Sequence, residues 1–142
     1  MQQMIVNYSA GSVATVNDDG TPAVSPKATF VIVDDERIAF GDVRSPNTIA
    51  NLAARPNVEV LFTDVLTRTA VRVAGTAKLR GNDDAELRPL FLEHFPRFLD
   101  VMGHLVLICV TKAQLITSPA YDAGQTREEL RVLNLAKLTA LD

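Results

Sequence analysis

Apolar and polar residues alternate along "VEVLFTD", where Val58, Val60 and Phe62 share one face. They alternate again along "TAVRVAGTAKLRG", with Val71, Val73 and Gly75 on one side and Arg72 and Ala74 on the other. A period of two predicts strands at 58–64 and 69–81. Gly75, inside the longer one, marks a bulge or the close approach of another backbone. Upstream, "SVATVNDDGTPAVSPKATFVIVDDERIAFGD" is dense in Val, Thr, Ile and Phe and broken by turn clusters at 17–21 and 34–37. It predicts three strands, 12–16, 23–33 and 37–41, joined by hairpins. "HLVLICVTKAQLIT", 104–117, predicts a buried strand.

The period lengthens elsewhere. Ile49, Leu52 and Ala53 have helical spacing, and Pro56 stops that helix. "NDDAELRPLFLEHFPRFL", 82–99, opens on cap residues and turns helical, with Pro89 expected to kink or divide it. In the tail, Thr126 and Glu129 match a capping box, and Leu130, Leu133, Leu138 and Leu141 form a stripe, predicting a helix at about 126–141. "SPAYDAGQT" before it reads as a loop in which Tyr121 either anchors the packing or borders a ligand or partner. The pattern predicts one α+β domain over 1–142, mainly β: a six-stranded antiparallel barrel with added helices.

Composition narrows the function classes. The chain has 142 residues, 47% hydrophobic and 22% charged, with net charge −3. No basic excess points to nucleic acid. One cysteine, Cys109, excludes an internal disulfide or a cysteine metal cluster, and its apolar setting predicts a buried, inert thiol. The first residues lack a signal-peptide pattern, and no apolar run approaches the roughly 20 residues that span a bilayer, so the expectation is a soluble cytoplasmic protein without membrane or nucleic-acid partners. His94 and His104, the only histidines, have no metal-ligand spacing. There is no phosphate-loop motif, GxGxxG or nucleophile elbow, and no catalytic side chain stands out.

The segment "GDVRSPNTIANLAARPNV" carries the chemistry that remains. Ser45 is suited to N-cap a helix with Pro46 at its first position. The N–H groups of Asn47 and Thr48 then lack intrahelical partners, and such an end attracts anions. Arg44 adds a planar cationic fork suited to phosphate, and the Thr48 hydroxyl a further donor. The competing reading is ordinary helix punctuation, with Arg44 paired to Asp42. Lys27, in "VSPKATF", is a second cation that adjacent strands would bring to the same helix end; otherwise it is a solvated strand lysine.

In order, a hairpin, the "SPK" strand, the "DD" turn, "AFGD", "RSPNT..NL..RPNV" and "VRVAG" resemble the pyridoxamine 5′-phosphate oxidase-like family of flavin-binding split barrels. The resemblance spans about residues 9–117. It implies a split β-barrel of the FMN-binding type, a homodimer with FMN at the interface, and a small-molecule redox substrate. Carried over by position, Arg44, Ser45, Asn47 and Thr48 are candidates for the phosphate site. Ser25, Pro26 and Lys27 are candidates for the ring or ribityl chain. Many relatives carry a Lys or Arg where this chain has Asn47. The glutamine that reaches flavin in true pyridoxamine-phosphate oxidases is matched by Ala70, and their terminal Arg-Leu-x-Pro segment has no counterpart in "KLTALD". Vitamin B6 oxidation is therefore not expected. Three other readings stay open: a flavin carrier without turnover, a deazaflavin-dependent reductase, and a structural dimer with a decayed site.

Overall fold

The computed structural model describes residues 1–141. The elements run in the order α1 (Gln2–Tyr8), β1 (Gly11–Val16), β2 (Pro22–Lys27), β3 (Phe30–Ile32), β4 (Arg37–Asp42), α2 (Pro46–Ala54), β5 (Asn57–Asp64), β6 (Thr69–Gly81), α3 (Arg88–His94), a 3₁₀ turn (Leu99–Val101), β7 (His104–Thr117), α4 (Pro119–Asp122) and α5 (Arg127–Thr139). Seven strands form one sheet in the order β2-β1-β5-β6-β7-β4-β3. Every neighbouring pair is antiparallel. The sheet curls into a split barrel until β2 meets β4.

The count exceeds the expected six because the predicted strand 23–33 is two strands. The first pairs with β1 and the second with β4, at opposite rims of the sheet. Thr29 explains the break. Its Oγ1 donates to the Gly41 carbonyl at 2.8 Å and accepts from the Gly41 N–H at 3.1 Å. A side chain thus stands where a strand partner would be, and the chain can leave one rim for the other.

Alternation places the core as expected. Val58, Val60 and Phe62 of β5 point inward with Val71 and Val73 of β6 and Val106 and Ile108 of β7. Phe30 meets Phe62 edge-on at a centroid distance of 4.8 Å and Phe40 at 5.2 Å, geometries worth roughly 0.5–1.5 kcal/mol beyond burial. A second cluster lies outside the barrel. There Leu87, Phe91, Leu99 and Met102 cover Val31, Ala39, Leu105 and Leu107. Gly75 sits at a register shift in the β6–β7 ladder, and a Cβ built on it would lie 2.3 Å from the Cys109 carbonyl oxygen. Close approach therefore excludes a side chain.

The helices depart from expectation in two places. Helix α1 is not visible as a pattern: it is seven residues long and buries only Ile5. In the segment 82–99, helix α3 starts at Arg88, so Pro89 falls in its first turn instead of its middle and needs no kink. Helix α5 opens with the expected capping box between Thr126 and Glu129. Leu130 is buried, but Leu133, Leu138 and Leu141 are exposed on this chain. Cys109 is half-buried rather than enclosed.

The C-terminal elements dock on the β5–β6 turn. Asp64, buried at its start, accepts from the N–H groups of Leu66 and Thr67 and from the Thr67 hydroxyl at 2.7 Å. The Tyr121 hydroxyl donates to the Thr67 carbonyl at 2.5 Å, and the Asn134 amide donates to the Leu66 carbonyl at 2.9 Å. Tyr121 is thus a packing anchor. Among the described residues no helix is long and apolar enough to cross a membrane.

Candidate functional site

Strand β2 ends at Lys27 and β4 at Asp42, and the barrel's curl brings these ends together. From β4 the chain passes Val43 and Arg44 into helix α2. That helix is fixed by side chains reaching the β1–β2 turn. The Asn51 amide donates to Thr15 Oγ1 and Asn17 Oδ1, both at 3.0 Å. Arg55 donates to the Val16 carbonyl and to Asp18. The Asn47 amide donates to Asn17 Oδ1 at 3.1 Å, so its side chain serves the scaffold and its backbone N–H stays at the helix start.

Ser45 occupies the N-cap position, but its hydroxyl makes no capping bond. It instead accepts a hydrogen bond from Lys27 Nζ, which also donates to Ser25 Oγ at 2.7 Å. Lys27 is only 8% exposed, which removes the solvated-lysine reading. Arg44 is exposed and makes no ion pair or side-chain hydrogen bond among the described residues, so the expected alternative pairing with Asp42 does not form. Thr48 is buried in the first turn of α2.

Arg44 and Ser45 border two recesses. The smaller, of about 260 Å³, lies between Ser25 and the helix start and is lined also by Asn47 and Thr48. The larger, of about 610 Å³, runs along Pro26, Lys27 and Thr29. Its opposite wall is apolar: Phe95, Phe98 and Val101. All seven residues singled out from the sequence therefore line one recess or the other. The apolar wall was not anticipated. Its one sequence signal is the aromatic pair of "HFPRFLDV", in a stretch that two prolines break, and Phe98 and Val101 stay more than half exposed.

Burial pushes the Lys27 ammonium below its usual range, and the charge of Asp42 opposes that fall. Asp42 is itself buried. Its Oδ1 has no hydrogen-bond partner, and its Oδ2 lies 3.9 Å from His104 Nδ1. Among the described residues no group of three or more His, Cys, Asp or Glu is arranged to hold a metal.

These donors suit a phosphate or another small anion. An uncommitted guanidinium, hydroxyls and free helix-start N–H groups surround the smaller recess. The larger one has the size and mixed lining of a cofactor cleft.

A family model described as pyridoxamine 5′-phosphate oxidase matches residues 1–118. No curated protein matches the chain. Among solved structures, HupZ of Group A Streptococcus is similar with a TM-score of 0.72 and 24% identity, over 83% of this chain and 92% of that one. An FMN-binding protein from Syntrophomonas wolfei subsp. wolfei aligns with a TM-score of 0.68 and 12% identity, over 81% and 82%. A structure named F420 reductase aligns with a TM-score of 0.60 and 19% identity, over 74% and 88%. At these identities the structural likenesses establish the split-barrel fold.

Proposed function

Because the chain belongs to the pyridoxamine 5′-phosphate oxidase family, we propose that it is a homodimeric FMN-binding oxidoreductase acting on a small molecule other than pyridoxamine phosphate. One observation carries the reading. Buried Lys27 reaches across from β2 to Ser45 at the start of α2, beside an Arg44 with no partner of its own. Two cations thus flank Ser45 at the larger recess, and Arg44 and Ser45 continue into the smaller one at the helix start.

Arg44 would grip two phosphate oxygens with its planar fork. The N–H groups of Asn47 and Thr48 and the hydroxyls of Ser45 and Thr48 would complete the seat. Ser25, Pro26 and Lys27 would run beside the ribityl chain and ring. Phe95, Phe98 and Val101 would keep water from the ring's neighbourhood. Bound FMN supplies the hydride chemistry, which accounts for a site without a candidate acid or nucleophile. Ala70, half-buried on β6, cannot make the polar contact of a glutamine, which argues against the family's namesake substrate.

A second copy would cover apolar residues that this chain leaves open, including Val24, Leu61, Val65 and Leu115. The likeness to an F420 reductase supports a deazaflavin as the alternative cofactor. Against it, the larger recess holds only two cations, Lys27 and Arg44, for that cofactor's longer acidic tail. The other alternative is a carrier that binds flavin without turnover.

The test is a titration of flavin-free protein with FMN and, in parallel, riboflavin, followed by flavin fluorescence, with sedimentation to give the oligomeric state. Tight FMN and weak riboflavin binding by a dimer is expected. Equal binding of the two, or neither, would remove the phosphate seat. Reduction of bound flavin by NADH or NADPH separates an enzyme from a carrier, and direct competition with deazaflavin decides between the cofactors.

A further inference from the structure

Lys27 and Asp42 are buried to similar degrees, 8% and 7% exposed, and they carry opposite charges without forming a direct ion pair. Lys27 spends two of its three N–H groups on the hydroxyls of Ser25 and Ser45. Asp42 leaves Oδ1 without any partner. A buried charge with no counter-charge is strongly destabilising. The groups around Lys27 leave few choices. Strand β4 brings Asp42, the β4–α2 connection brings the cation Arg44, and β7 brings His104, whose Nδ1 lies 3.9 Å from Asp42 Oδ2. The facing residues of β1, Gly11 and Ser12, and the first turn of α2 bring no ionisable side chain. Strands β2 and β4 meet, and Lys27 and Asp42 are their last residues, so the buried carboxylate stands on the strand beside the buried ammonium; burial lowers Lys27, and the charge of Asp42 opposes that fall.

We propose that Asp42 is the counter-charge that keeps Lys27 cationic where it meets the Ser45 hydroxyl, and so is a positioning residue for an anionic ligand head at the start of α2. The geometry explains why a carboxylate stands near an anion site at all. Asp42 is held back on β4, aligned opposite His104 in the β4–β7 ladder, while Lys27 stands at the recess. The carboxylate sustains the cation's charge without occupying its donors. The ligand half of this inference rests on the FMN reading above, and the Lys27–Asp42 half does not.

Two readouts keep the halves apart. In flavin-free, uniformly labelled protein, the Lys27 13Cε resonance is followed with pH, assigned by its loss in Lys27→Arg. Asp42→Asn should lower the Lys27 midpoint, the direction expected on losing a nearby opposite charge. The second readout is FMN affinity relative to riboflavin from about pH 6 to 10, bracketing the lysine range. In Asp42→Asn the preference for FMN should fade at correspondingly lower pH. Adding Lys27→Arg should remove that shift, because a guanidinium stays charged. An unmoved Lys27 midpoint in a folded variant overturns the inference and leaves the cofactor reading intact. A lowered midpoint in a protein that never prefers FMN upholds the charge pair and ends the ligand half. Should Asp42→Asn fail to fold, Asp42→Ser, smaller and still polar, is read the same way.

Discussion

Lys27 Nζ and Ser45 Oγ are hydrogen-bonded although 18 positions separate them, and the bond joins β2, at one rim of the sheet, to the start of the helix that follows β4, the strand next to the other rim. It redirects both residues. The serine gives up its cap, the lysine gives up solvent, and the helix start keeps its N–H groups uncovered.

Arg44→Ala should weaken FMN binding by about 1.5–3 kcal/mol, the worth of hydrogen bonds to a charged group, and leave riboflavin binding as it was. Paired fluorescence titrations of the folded variant give both numbers. An unchanged FMN affinity would withdraw the guanidinium from the phosphate seat.

Thr29→Val keeps the side chain's shape and removes the hydroxyl that serves both Gly41 backbone groups. Leaving those groups unpaired should cost about 1–3 kcal/mol in urea unfolding. A cost near zero would mean that the corner between β2 and β3 does not depend on that hydroxyl.

Gly75→Ala and Gly41→Ala both place a methyl group in contact, but against different neighbours. At Gly75 it meets the Cys109 carbonyl at 2.3 Å, which is backbone. At Gly41 it meets the Met102 sulfur at 2.2 Å, which a flexible side chain can withdraw. Gly75→Ala should therefore lose about 1–3 kcal/mol and Gly41→Ala less. Thermal unfolding of the two variants side by side checks the order.

Asp64 predicts an acid-sensitive term in stability. Burial pushes its carboxyl up, but the hydroxyl and N–H of Thr67 and the N–H of Leu66 outweigh that and hold it below the ordinary 3.8. A depressed folded value stabilises the native state above the unfolded value, and the contribution disappears as pH falls through the folded one. Asp64→Asn should be less stable than the parent at pH 7. The gap should close as pH drops from roughly 5 to below the ordinary carboxylate value. Urea unfolding across that range tests it, and a gap independent of pH would assign the loss to packing.

Much of the barrel was readable because burial on one face imposes a period of two. Strand β5 is the clear case, with Val58, Val60, Phe62 and Asp64 buried and the residues between them exposed. The break between β2 and β3 was hidden, since it depends on a hydroxyl bonding a glycine twelve positions away. Helix α1 was hidden because a seven-residue helix with one buried side chain leaves no stripe. At the site, the residue types around the start of α2 were legible from charge and helix-start chemistry. What Ser45 does with its hydroxyl was not, because local sequence favours a cap and only the curl of the sheet delivers Lys27 to compete for it. The Phe95, Phe98 and Val101 wall was missed for the same kind of reason: it gains meaning only when the fold sets it on the same recess as the end of β2.

The two outermost strands of the sheet are also successive in the chain. Strand β2 carries Pro22 and Pro26, which have no N–H to offer a neighbouring molecule, and β3 is only three residues long. A sheet that curls without closing exposes rims on which other chains could add strands. Here both rim strands are chemically blunted, which disfavours edge-to-edge addition of a further strand from a neighbouring molecule.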